Sequence, residues 1–132
     1  VRVTIRDVAN QIAASLRADD QERGLAEARR LAFWFVEVFD SSTLADRQAL
    51  VAERPDTTGD ARFDAMLAAI AEHLCTKASI PLPDWADEPS RFLDIWWFVS
   101  GLRSLHAEAL VHSPISFARR GVFITSDALT YA

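Results

Sequence analysis

Apolar residues return every three to four positions through most of this chain, the period of helices that bury one face. Ile5, Val8, Ala9, Ile12, Ala13 and Leu16 form the first stripe, and Thr4 with Asp7 makes a variant capping box at its start. A second helix is predicted from Asp19 or Asp20 to about Phe39, burying Leu25, Ala28, Leu31, Ala32, Phe35, Val38 and Phe39. Gly24 weakens its first turns. Ser41 or Ser42 caps a shorter helix carrying Leu44, Leu50 and Val51, which stops before Pro55. After a loop from Arg54 to Asp60, that aspartate caps a fourth helix with a stripe of Phe63, Met66, Leu67, Ile70, Ala71 and Leu74, ending near Ala78.

The second half is punctuated by prolines. Pro81 and Pro83 force their predecessors into extended geometry, so Ile80 to Trp85 reads as an apolar connector across the core. Pro89 suits a helix start, which predicts a fifth helix over Arg91 to Val99, apolar on nearly every face. Leu102, Leu105, Ala109 and Leu110 mark a sixth. Ser113-Pro114 opens a short helical turn through Phe117 to Arg120, which Gly121 ends. Val122 to Thr125 is the one convincing β-type run, and no second strand is visible nearby. It is expected to be an extended segment or to pair with a copy in another subunit. Ser126 to Leu129 starts a final helical turn. The expected fold is therefore all-α: one domain over residues 1–132, with five to six helices and a short extended C-terminal segment.

Composition narrows the function. A chain of 132 residues, 50% hydrophobic and 25% charged, is an ordinary globule large enough to bury its own core. A net charge of −5 disfavours nucleic acid as the main ligand, because phosphate binding needs clustered cations. No apolar run approaches the roughly 20 residues that span a bilayer, so no membrane partner is expected. Val1 to Asp7 lacks the apolar stretch of a secretory signal, which makes the cytoplasm the expected compartment. Lone Cys75 suits that compartment and reads as an inert, buried or half-buried thiol.

Two acids interrupt aromatic runs: Glu37 within Phe33 to Phe39, and Asp94 within Phe92 to Val99. Buried together, they would divide acid and base roles as a hydrolase requires. Placed at the rim or paired with Arg30, Arg91 or Arg103, they are structural, and this is the favoured reading. His73 with Cys75, His106 with His112, and Glu108 with His112 do not assemble a metal site, so none is expected. Neither a nucleophile elbow nor a phosphate-binding glycine loop is present, and no cofactor is called for. Arg119-Arg120 would clamp a phosphate or an acidic groove, or serve as a solvated helix end. Val3 to Ala9 is similar to the first helix of a helix-turn-helix repressor, but no turn glycine or recognition helix follows.

Four segments carry a further resemblance: Thr58 to Leu67, Pro81-Leu82-Pro83-Asp84-Trp85, Trp97 to Ser100, and Ser113 to Ile124. Over about residues 54–124 the chain resembles an uncharacterised actinobacterial domain found in antitoxin-like regulators linked to a helix-turn-helix. Such regulators are encoded beside a nucleotidyltransferase-like toxin. With no DNA-binding unit recognisable here, the resemblance implies binding of a partner protein, a toxin being the example.

Aromatic surplus points the same way, since Phe33, Trp34, Phe35, Trp96, Trp97 and Phe98 exceed what one small core easily hides. On a helix Trp96 and Trp97 point about 100° apart, so one belongs to the core and the other to an interface or rim. The expected function is a protein–protein interaction module, an antitoxin-like or regulatory subunit, with a homodimer expected. Its expected partner-binding residues are Trp34, Trp85, Trp96, Trp97, Phe117, Arg119 and Arg120. A small enzyme built on Glu37 and Asp94 is the alternative.

Overall fold

The computed structural model describes residues 3–129. Among them six α-helices run in chain order as α1 (Ile5–Leu16), α2 (Gln21–Asp40), α3 (Leu44–Ala52), α4 (Ala61–Ala78), α5 (His106–His112) and α6 (Ile115–Ala118). Two-residue strands β1 (Trp97–Phe98) and β2 (Val122–Phe123) and three single 3-10 turns lie among the described residues as well. It is an all-α fold, as its hydrophobic period predicts.

The first four helices begin where capping chemistry places them. Thr4 and Asp7 close a full capping box on α1, Asp20 caps α2, and Asp60 caps α4. The cap of α3 is Thr43, one or two positions beyond the expected serines. Its hydroxyl accepts from the Asp46 N–H, while Ser41 and Ser42 turn their hydroxyls back to carbonyls of α2. Helix α4 is the axis of the molecule. Residues 65–71 are all buried, and α1, α2, α3, α6, β2 and two 3-10 turns pack around it. Its alanines let those neighbours approach from several sides at once, which a helix with a single apolar stripe does not allow.

The predicted fifth helix over Arg91 to Val99 does not form. Pro89 does open a helical turn, but it lasts only over Pro89–Arg91 and stops at extended Phe92. The backbone beyond is hydrogen-bonded to a distant segment instead. The Leu93 N–H donates to Arg120 O (2.9 Å), Trp97 to Gly121 O (2.8 Å) and Val99 to Phe123 O (3.0 Å). A short aromatic and β-branched run is equally apolar as helix or strand, and here the tertiary ladder decides.

The same ladder corrects the reading of Val122 to Thr125. Its partner strand is β1 of the same chain, paired in parallel with Trp97 opposite Val122 and Phe98 opposite Phe123. The connection between these strands passes through α5 and α6, the crossover that parallel pairing requires. The sixth predicted helix is divided into a 3-10 turn at Arg103–Leu105 and α5. Residues 126–129 form a turn, its Ala128 N–H donating to Thr125 O.

Candidate functional site

Two polar knots hold the second half against α4. In the first, the Arg91 guanidinium donates to Pro55 O (3.0 Å) and Asp64 O (3.1 Å) and lies over the Trp85 ring, 4.7 Å from its centroid. Trp85 in turn donates its indole N–H to Val51 O at 2.8 Å. In the second, Arg120 has no exposed side-chain surface. It donates to Ser116 O (2.8 Å), Ala86 O (2.9 Å) and the Glu72 carboxylate. Arg119 bridges the same Glu72 and Asp87, both at 2.8 Å. Burial pushes the Glu72 carboxyl up, but hydrogen bonds from the two arginines outweigh it and hold its pKa below the ordinary value.

These knots correct three of the expected partner-binding residues. Trp85 is 6% exposed, while Phe117 and Arg120 are fully enclosed, so none of them can meet a partner in this fold. Arg120 is not a solvated helix end but the buried donor to two carbonyls that have no helical partner. Arg119 is partly exposed with its charge already engaged, and Trp34 is half-buried against the core. Glu37 and Asp94 are both exposed, on α2 and before β1, so the enclosed apolar setting of the hydrolase reading is absent. Cys75 is buried, and loss of solvent pushes its thiol up to about 11, the state of an inert side chain.

Among the described residues Trp96 is the one aromatic side chain in the exposed large apolar set, and it sits on a cluster of rings. Strand alternation turns Trp97 inward, where it meets the edge of Phe63 at 5.2 Å and lies beneath Arg62 at 5.3 Å. Trp96 and Phe98 turn outward. Trp96 packs on Phe123 (centroids 5.0 Å), Phe123 stacks on Phe98 (5.1 Å), and Phe98 stacks on His106 at the start of α5 (4.1 Å). Leu110 follows His106 by one turn of α5 and extends this row. Trp96 is 61% exposed and Leu110 48%, with Ile95 and Leu102 still more open at the ends of the strand segment.

Scattered exposed apolar side chains need no explanation, but a contiguous aromatic row does. Gly121 sets its position. With φ of 78° it takes a conformation that other residues resist, and an added Cβ would lie 3.3 Å from Leu93 and 3.5 Å from Trp96. Phe98, Phe123, His106 and Leu110 were not among the expected partner-binding residues. The alternation Trp96, Phe98 was the available signal, masked by reading the run as helix.

The residues behind the family resemblance have structural roles. Thr58 gives its N–H and hydroxyl to Asp64, locking the turn before α4, while Trp85, Arg120 and Gly121 serve the knots and the strand pairing. No family model, curated protein or solved structure matches the chain. Among the described residues no helix is long and apolar enough to cross a membrane.

Proposed function

We propose that this chain is a protein–protein interaction module, an antitoxin-like or regulatory subunit. Its partner is a protein that lays an apolar surface on Trp96, Phe98, His106 and Leu110. The observation that carries this reading is the stacked row itself, with Trp96 and Leu110 exposed, Phe98 and His106 half-buried, and Phe123 buried beneath them. Rigid aromatic side chains, already ordered against one another, offer a large contact area at small entropic cost, as interface anchors do. The fold gains little from leaving Trp96 61% exposed, whereas a partner that covered it would gain its burial. Resemblance to antitoxin-like regulators supports a toxin-like partner encoded in the neighbouring reading frame.

Co-expression with that neighbouring product, followed by light scattering on the purified material, tests the proposal. A discrete complex is expected, together with its loss in the Leu110→Asp variant. A chain that stays monomeric beside that product, or a complex indifferent to Leu110→Asp, would overturn it. Scattering at twice the chain mass in the absence of the product would make the occupant a second copy.

A further inference from the structure

A cleft of about 300 Å³ opens between α2 and the ends of the paired strands, lined by Arg29, Val99, Ser100, Gly101, Ile124, Thr125 and Ala128. Its single charged lining residue is Arg29. Among the described residues five arginines are buried or half-buried, and four of these have their guanidinium groups hydrogen-bonded. Arg47 donates to the carbonyls of Phe39 and Asp40, Arg62 to Asp60, Arg91 to Pro55 and Asp64, and Arg120 to Ala86 and Ser116. Arg29, the fifth, is half-buried, and its guanidinium has no hydrogen bond or ion pair among the described residues. A guanidinium on the wall of a cleft with its donors unused is a site for an acceptor pair of matching geometry.

We infer that this cleft binds a small organic carboxylate, its anionic group on Arg29 and its apolar part against Val99, Ile124 and Ala128. The polar lining suits one negative charge. Ser100 accepts at its hydroxyl from the Leu102 N–H at 3.3 Å, which leaves its own O–H to donate. Thr125 already donates to Asp127 at 2.6 Å, which puts a carboxylate next to the cleft. That neighbour penalises a dianion such as phosphate more than a monoanion. The half-apolar wall, in turn, favours an acid with a short hydrocarbon tail over a bare inorganic ion.

Titration of the full chain with butyrate, followed by amide NMR, tests this inference, with butyramide and inorganic phosphate as the comparison probes. Saturable shifts at the Gly101 and Thr125 amides are expected with butyrate. Binding should weaken about tenfold or more in Arg29→Gln, whose remaining spectrum reports that the fold is intact. Absence of saturable shifts, or equal affinity in Arg29→Gln, would overturn the inference. So would butyramide or phosphate binding as well as butyrate. The site lies apart from Trp96, so failure here leaves the proposed protein-binding face standing.

Discussion

Arg120 and Glu72 show how single residues decide this structure. A guanidinium removed from water is costly unless its donors are occupied, and Arg120 offsets that cost through its two terminal nitrogens, which reach two backbone carbonyls and one carboxylate, while its Nε is left without a partner. Glu72 keeps 21% of its side-chain surface exposed and is shared with Arg119. Its folded pKa lies below the ordinary 4.5, so protons bind the unfolded chain more readily than the folded one. The stabilisation is complete above the unfolded pKa and is lost as pH falls through the folded value. Glu72→Gln should therefore melt below the native chain at neutral pH and converge with it as pH falls from 4.5 through the lower folded value. Thermal melts across that range check this, and two parallel curves would contradict it.

At the scale of elements, the junction of α1 and α2 is the tightest. A Cβ placed on Gly24 would run into the Ser15 carbonyl oxygen at the end of α1, so this glycine is the means of close approach and not merely a weak helix former. On an exposed helix Gly→Ala gains about 1 kcal/mol. Here the clash with backbone should reverse the sign, and Gly24→Ala should lose about 1–3 kcal/mol in denaturant unfolding. A stabilised variant would show that the helices part without cost.

Such contacts also mark the limit of what sequence discloses. Helices α1 to α4 were legible because caps and apolar stripes are local signals that agree with the tertiary outcome. The run Phe92 to Val99 was not. Its strand character comes from the carbonyls of Arg120, Gly121 and Phe123, far along the chain, and nothing within the run itself announces them. The candidate site shared that fate. Trp96 stood out in sequence as part of an aromatic run, but Phe98, Phe123 and His106 join it only through the strand pairing. Arg119-Arg120 was conspicuous in sequence for its charge, yet burial turned Arg120 to the service of the core.

Taken whole, the molecule is a helix hub around α4 with an aromatic row that surfaces at Trp96. Trp97 fastens β1 to Phe63 of the hub, whereas Trp96 caps the outer face of Phe123. Adjacent tryptophans thus divide between the core and the surface, a split the strand geometry makes where a helix was predicted to make it. Trp97→Ala should cost about 3 kcal/mol of stability through lost burial and the cavity left behind. The central claim is that Trp96 belongs to a partner and not to the core, and calorimetric titration of Trp96→Ala against the neighbouring gene product tests it most directly. We predict binding weakened about thirtyfold or more, as for an interface anchor worth 2 kcal/mol, with a melting temperature close to that of the native chain. Unchanged affinity, or a fall in melting temperature as large as that of Trp97→Ala, would contradict the account.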